Sequence, residues 1–483
     1  MKGHSKIELT DVNTGAVQTF ENDNMVTNAL KYYLADAGVM GCSPLAIDSN
    51  IRDKELWKAL LGGIMLFGDT LEEDADNVLP KAGITMIGNG AYNVSNSGDV
   101  TELGSWNKQE SGLQSDGSVK LVFDFSTAQA NGAIKSCALS SAVGGYMGVG
   151  NTTSGKYISS KNENVASTIS HFSGYSCYGY GIYHPVRKAG SRKGCGYYIC
   201  YADLFDNSIC YVDPDTLTYN SSYASSHFSS TGSIVIKKYG IPCNKINVKD
   251  SKYPSRLLEE HTITVPDEII TYLGSAKTSN YNTVLSCGKD IYIIFANSDI
   301  VATNASFYVL HIDKDFTATM HKMINTTGYK LSCCNNYVHG VTSDGFLLMT
   351  TYGDGYFNYK IKISDSTVVE YLNFKGTTSI SNSFNDKFYN SNDSGYFSEI
   401  DTVLNKFIRC NTYGHTDDYG RLKCYAHCVG NPLFFIKKDR SSSDEYFSLV
   451  RFCGYLATIN NLSTPVTKTA SQTMKVTYTL TFD

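Results

Sequence analysis

Strict alternation of apolar and polar residues marks the chain near both ends. Gln472–Phe482 reads QTMKVTYTLTF, with Met474, Val476, Tyr478, Leu480 and Phe482 on one face. That is the period of a half-buried strand, which needs a sheet to join. The N-terminal region or a neighbouring copy of the chain would supply it. Val119–Phe125 alternates in the same way, Asn131-Gly132 supplies turn residues, and Ala133–Leu139 is the expected return strand of a hairpin at the junction between two parts of the chain. Lys6–Leu9 and Ala16–Phe20 flank Asn13-Thr14-Gly15 and predict a hairpin near the start. Ile64–Phe67 is a continuous apolar run, the pattern of a strand buried on both faces.

Helical spacing is confined to the first 120 residues. Over Asn24–Ala37, residues Met25, Val26, Ala29, Leu30, Tyr33, Leu34 and Ala37 form one apolar stripe, with Asp23 or Asn24 as the cap and Gly38 at the end. Arg52–Leu61 predicts a second helix with Leu56, Trp57, Leu60 and Leu61 inward, stopped by Gly62-Gly63. From about residue 121 the pattern is strand, polar turn, strand. Short apolar strands run into Asp-bearing turns at Asp213, Asp313, Asp365, Asp401 and Asp439, and Thr264-Val-Pro-Asp-Glu-Ile is a candidate for a further one. Such spacing fits hairpins within four-stranded propeller blades, about 6–7 of them. A sandwich or jelly roll carries similar turns and stays open. Leu456–Pro465 reads as a polar linker before the last strand.

The expected fold is therefore mainly β. A small α+β domain (1–120) is followed by an all-β, propeller-like body (121–455), then a linker and C-terminal strand (456–483). Composition agrees, with 35 Tyr, 41 Gly and only 9 Pro among 483 residues. A net charge of -5 argues against a nucleic-acid partner. No apolar run is long enough to insert in a membrane, and Met1–Thr10 lacks the apolar core of a signal peptide. Synthesis and folding in a cytosol are expected. There the 14 Cys stay reduced, and sequons such as Asn151 and Asn325 need no glycan.

No nucleotide-binding glycine loop, GxSxG or HExxH is present. Neither catalytic residues nor a cofactor is expected, and metal binding is not. Cys424-Tyr-Ala-His-Cys428 could share a zinc only across a sharp bend, because residues four apart on a strand are separated by about 13 Å. Asp354 and Asp417-Asp418 sit among Gly and aromatics, but turn formation explains them more simply. The most unusual stretch is Gly174–Lys193. Tyr175, Tyr178, Tyr180 and Tyr183 alternate with Gly and precede the basic Arg187, Lys188, Arg192 and Lys193. Flat aromatic faces suit sugar rings and protein interfaces. Tyr175, Tyr178, Tyr180, Tyr183, Arg187 and Lys188 are the candidate binding residues, against the plain alternative of a tyrosine strand and a solvated basic run. Trp106, in Gly-Ser-Trp-Asn, is expected to pack at a domain junction.

Three segments carry a resemblance. They are His4–Gly15 through Asn24–Leu30, Leu79–Gly83 through Glu102–Asn107 into Val119–Asn151, and Leu456–Leu462 through Lys475–Phe482. Together they resemble tail, tail-fibre and baseplate-associated structural proteins of phages and phage-like elements of Gram-positive gut bacteria. The resemblance covers both ends and not the middle. It implies a non-enzymatic virion component, assembled in the host bacterial cytoplasm. Its implied partners are other virion proteins, further copies of itself, and host cell-surface carbohydrate met by the divergent body. A capsid-surface or connector protein and a cell-surface polysaccharide depolymerase are the alternatives.

Overall fold

The computed structural model describes residues 2–31, 56–78, 84–92, 94–96, 101–141 and 455–481, and between them a series of strands and turns from 164 to 451. The fold is mainly β. Two compact units emerge: Met1–Cys177 with Arg409–His415 and Arg451–Asp483, and Tyr178–Ile408 with Thr416–Val450.

The first unit is a nearly closed barrel-like sheet. Its strands are β1 (Lys2–Asp11), β2 (Val17–Val26), β3 (Gly63–Phe67), β4 (Met86–Ala91), β5 (Ser105–Trp106), β6 (Gly112–Leu113), β7 (Val119–Phe125), β8 (Gly132–Ser140), β9 (Thr458–Lys468) and β10 (Gln472–Thr481). The order is β4-β3-β8-β9-β2-β1-β10-β7-β5, with β6 on β7. The two ends of this order meet at a parallel bridge between Asn89 and Leu103, where Asn89 N–H donates to the Glu102 carbonyl and Gly104 N–H to the Asn89 carbonyl, each at 2.7 Å.

β10 joins the N-terminal region of its own chain. It pairs with β1 from Lys2↔Thr481 to Asp11↔Gln472, and on its other side with β7. Because side chains alternate with period two, these registers stack inward residues in rungs across β1, β10 and β7. The rungs are Leu9, Met474, Phe125; Ile7, Val476, Phe123; and Ser5, Tyr478, Leu121. All nine are buried. At the closing seam glycine is required. A Cβ on Gly104 would lie 2.6 Å from the Phe125 ring, and one on Gly90 would lie 2.9 Å from the Phe123 ring.

The β1–β2 hairpin forms as expected and is longer. The Asp11 carboxylate accepts from the Asn13 and Thr14 N–H groups, and Gly15 takes φ 73°. These bonds hold the Asp11 carboxyl below its ordinary range. Ile64–Phe67 is buried throughout, between β4 and β8. Leu60 and Leu61 of α1 (Leu56–Leu61) are buried, and Gly63 already belongs to β3.

Three expectations are corrected. Asn24–Val26 is strand, because β2 keeps pairing with β1 to Asn24 and with β9 at Met25 and Val26. Helical turn begins only at Ala29, capped by the Thr27 hydroxyl, which accepts from Ala29 N–H. Next, β7 and β8 do not form a hairpin: β7 lies between β10 and β5, and β8 between β3 and β9. Both belong to the terminal unit, whereas the sequence placed the hand-over to the body at 120/121. Last, Leu456–Pro465 is no linker. Leu456 and Ala457 are buried, and β9 pairs with β8, with its register shifted between Asn461 and Val466 around the exposed Pro465. A proline is tolerated at such an irregularity because its missing N–H costs no ladder bond.

The inward polar residues of β9 explain why it looks like a linker. Asn460 donates to Ser5 Oγ and to Cys137 Sγ, and accepts from Asn22 Nδ2 at 2.6 Å. Cys137 Sγ is hydrogen-bonded to the Tyr478 hydroxyl at 3.4 Å, and Thr458 Oγ1 accepts from Leu139 N–H. Burial pushes the Cys137 thiol up to about 11. This network joins β1, β2, β8, β9 and β10. Lys468 is also buried, its ammonium donating to Asn131 Oδ1 at 2.8 Å and the Thr127 carbonyl at 3.4 Å.

Among the described residues of the second unit, five successive groups of strands form meanders. The first comprises Ile199–Asp203, Ser208–Val212, Ser233–Gly240 and Leu257–Thr264. The second comprises Tyr281–Cys287, Asp290–Ala296, Ser306–Ile312 and Ala318–Ile324, with Ser225–Phe228 and then Leu217–Asn220 added beyond Tyr281–Cys287. The third comprises Val338–Val341, Phe346–Thr350, Phe357–Lys362 and Val369–Lys375. The fourth runs through Ile380–Phe384, Lys387–Ser391, Tyr396–Asp401 and the start of Lys406–Asn411, whose residues from Arg409 on are assigned to the first unit. The fifth takes Cys424–Val429, Phe434–Arg440 and Glu445–Arg451, and is completed by Gly181–Tyr183. The first strand of each meander contacts the first strand of the next, and Ile199–Asp203 pairs in parallel with Cys424–Val429, so the series returns on itself. One apolar core lies between the first and second meanders, and another between the second and third.

Asp313 and Asp365 do cap hairpin turns. Each carboxylate accepts from the N–H two residues on, and Asp313 also from Thr317 N–H. The Thr264 mark is instead the start of a helix, α2 (Asp267–Leu273). Pro266 precedes it, Asp267 and Glu268 occupy its first turn, and Ile269 and Leu273 bury one face. Among the described residues no helix is long and apolar enough to cross a membrane.

Two outcomes test the barrel. Asn460→Ala should lower unfolding free energy by about 2 kcal/mol, because buried partners lose their bonds, while the outer-face Thr479→Ala stays within about 0.5 kcal/mol; denaturant titration separates them. Burial lowers the Lys468 ammonium from 10.5 to about 8. The unfolded chain therefore binds the extra proton between about pH 8 and 10.5, and this group's contribution to stability rises with pH across that window. The stability of Lys468→Met relative to the native chain should be greatest below pH 8 and shrink toward pH 10.5, as read by thermal melts.

Candidate binding surface

Within the second unit, four aromatic rings form a connected patch on the third meander and the turn beside it. Tyr359 and Tyr371 are direct cross-strand partners, with ring centroids 5.6 Å apart. Phe357 lies two residues before Tyr359, hence on the same strand face, and its ring is 6.1 Å from Tyr371. Tyr329 enters from the turn after Ile324, 5.6 Å from Phe357 and 6.2 Å from Tyr359. Tyr359 is the buried floor, while Tyr329 and Tyr371 are 49% and 47% exposed. Tyr352 is similarly exposed, and its N–H donates to the Lys330 carbonyl, beside Tyr329.

The turn that carries Tyr329 is fixed from below. Asn325 is fully buried, and its amide donates to the carbonyls of Val301, Ala302 and Tyr329. Its oxygen accepts from the Thr327 N–H and hydroxyl, and Gly328 turns the chain at φ 80°. A buried Asn325 in this role leaves no room for a glycan. The patch is thus a set of rings preset by sheet register and a pinned turn. Burial raises the Tyr359 phenol above its ordinary range, and the neighbouring Tyr329 and Tyr371 add to the shift.

The sequence-derived candidates fall elsewhere. Tyr175, Tyr178, Tyr180, Arg187 and Lys188 lie outside the described residues, as do Asp354, Asp417 and Asp418. Tyr183 ends the short strand Gly181–Tyr183, its backbone opposite Tyr446. Cys424 and Cys428 lie on one strand, Cys424–Val429, with a register shift between Cys424 and Ala426. Cys137, Cys200, Cys210, Cys287 and Cys333 are not joined in disulfides, and all but Cys287 are buried. Among the described residues no group of three or more His, Cys, Asp or Glu is placed to hold a metal ion. Trp106 is in the short strand β5. Its ring meets Tyr92 and Phe123 edge-on at 5.2 and 5.3 Å, at the closing seam of the terminal unit.

Sequence reasoning missed Tyr329, Tyr352, Phe357, Tyr359 and Tyr371. The one local signal was the Phe357/Tyr359 alternation, which marks a strand face but not exposure.

No protein-family model matches the chain, and no curated protein matches it. Among solved structures it is similar to a chain in a crystal structure of a nidogen/laminin complex. The identity is 8%, the match covers 44% of this chain and 79% of that one, and the TM-score is 0.20, too low to carry an argument.

Asn325→Ala should leave the second-unit core intact but release the turn. The expected result is loss of nuclear Overhauser contacts between the Tyr329 and Phe357 rings, with those between Tyr359 and Tyr371 retained.

Proposed function

We propose that this chain is a non-enzymatic structural protein of a bacteriophage particle, of the tail, tail-fibre or baseplate class. In this reading the terminal barrel docks on other virion proteins, and the body meets host cell-surface carbohydrate. The observation that carries it is the placement of β1 and β10, far apart in sequence, side by side in one sheet. β1 and β10 pair along their full length, and the chain leaves β8 after Ser140 and returns at Tyr455, with Ala457 N–H donating to the Leu139 carbonyl. An attachment module built from the ends can stay constant while the inserted segment between them changes, which matches where the resemblance lies. That division is an analogy of architecture.

We read the body as a five-bladed propeller, against the six to seven blades expected. The cyclic contacts of the five first strands support this, as does the last meander, which takes its fourth strand, Gly181–Tyr183, from ahead of the first. The aromatic patch is its glycan-facing element. Sugar rings present apolar C–H faces that stack on tyrosine, and the phenol oxygens bond to their hydroxyls. Assembly as a homo-oligomer follows the cyclic repetition common in particles.

Immunogold labelling of purified particles tests the placement. Gold at the tail tip or baseplate is the expected outcome; gold over the head would replace this reading with a capsid-surface role. For the body, Tyr329→Ala and Tyr371→Ala in the full chain should each weaken binding to host cells by roughly tenfold. Unchanged binding by both correctly folded variants would remove the patch from recognition, and oligosaccharide released from host capsule by the purified chain would contradict the non-enzymatic role.

A further inference from the structure

A second site lies in the barrel, outside the aromatic patch. A cavity of about 470 Å³ opens where β1, β5, β7 and β10 come together. It is lined by Thr10, Ser105, Asp124, Ser126, Gln129 and Thr473, with Phe125, Met474, Lys475 and Asn96 completing the wall. The strand registers account for the grouping: Thr10 faces Thr473, Met474 faces Phe125, and both Lys475 and Ser105 are partners of Asp124.

Two side chains here have unfilled hydrogen-bonding capacity. Gln129 is only 2% exposed. Its amide oxygen accepts from Ser126 N–H at 2.8 Å, while its Nε2 has no partner among the described residues. This donor is not sealed from solvent, so a ligand acceptor at the cavity wall would bond to it in exchange for water. Asp124 receives one hydrogen bond, from Asn107 Nδ2 to Oδ2 at 2.8 Å, and its Oδ1 has none among the described residues. Burial raises the Asp124 carboxyl above its ordinary range, against the opposing pull of Asn107 and Lys475.

The charges define what fits. Lys475 stands beside Asp124 and is held by Glu110 at 2.5 Å. A cationic ligand would meet the Lys475 ammonium and an anionic one the Asp124 carboxylate, so the cavity favours a neutral guest. That guest must give a hydrogen to Asp124 and offer an oxygen to Gln129. Adjacent hydroxyls on a ring do both, and the hydroxyls of Thr10, Ser126 and Thr473 surround them with further partners. The volume is in the range of small-ligand pockets and exceeds what a single amide side chain would fill.

We propose that this cavity binds a neutral, polyhydroxylated ring, a sugar, with Asp124 as acceptor and Gln129 Nε2 as donor to vicinal hydroxyls. The site is independent of the aromatic patch and of the particle role.

Saturation-transfer NMR on the full chain tests it, with D-glucose and N-acetyl-D-glucosamine as probes and acetamide as a control that has an amide but no diol. The expected result is transfer to at least one sugar and none to acetamide. Asp124→Asn and Gln129→Met should each weaken the sugar by roughly tenfold or more, and Tyr371→Ala should not change it. Asp124→Asn keeps the side-chain shape on a partly exposed strand position, so it decides the matter if Gln129→Met fails to fold. The proposal is overturned if neither sugar receives transfer at concentrations on the order of 10 mM. It also fails if acetamide binds as well as the sugars, or if the sugar signal survives Asp124→Asn and is lost in Tyr371→Ala.

Discussion

The pairing of β1 with β10 is the constraint on which the rest of the terminal unit depends. Ten residues from the start of the chain face ten from its end in unbroken antiparallel register. Every other strand takes its place from that pair: β2 by the hairpin at Asp11, β7 by the opposite edge of β10, and β9 by the turn that leads into β10. The same register aligns the inward rungs from Leu9, Met474 and Phe125 to Ser5, Tyr478 and Leu121. Contacts between opposite ends of a chain form late, since loop-closure entropy must be met before they gain anything. During synthesis β1 has no partner on its β10 side until Gln472–Thr481 emerges.

A second consequence concerns polarity inside the barrel. The Asn460 network places amides, hydroxyls and a thiol where apolar side chains would ordinarily pack. Satisfied hydrogen bonds make this tolerable, and such a network specifies one arrangement of strands more narrowly than interchangeable aliphatic groups do. Asn22 shows it most directly. Its amide reaches both the Asn460 side chain and the Asn461 carbonyl, at 2.6 and 2.7 Å, and so ties β2 to β9 next to the point where their ladder stops.

Much of this was legible in the sequence, and the failures have physical causes. β10 and β3 were readable because their burial pattern is a direct image of alternation or of a continuous apolar run. The β1–β2 turn was readable because Asp11 and Gly15 are local determinants. β9 was hidden because its inward positions are Asn and Thr, which hydropathy scores as surface. β7 and β8 misled because a turn signal between two strands reads as a hairpin, whereas β7 pairs with β10, more than 300 positions away, and with the short β5 and β6 just ahead of it. At Asn24 an apolar stripe with helical spacing yielded to pairing with β1. The aromatic patch was illegible for a related reason: Tyr329, Phe357 and Tyr371 meet only through the register of a meander and a turn held by Asn325. The barrel cavity was missed because its lining comes from four strands and the loop bearing Gln129, each contributing unremarkable polar residues.

The central claim is that the two ends make a self-standing barrel into which the body is inserted. Replacing residues 142–454 by a flexible linker of about six residues tests it, since β8 and the segment entering β9 are already hydrogen-bonded neighbours. The account predicts a monodisperse β protein that unfolds cooperatively and whose β1 and β10 amides are protected together from hydrogen exchange. A chain that lacks a cooperative transition, or in which β10 exchanges freely while β1 is protected, would contradict it.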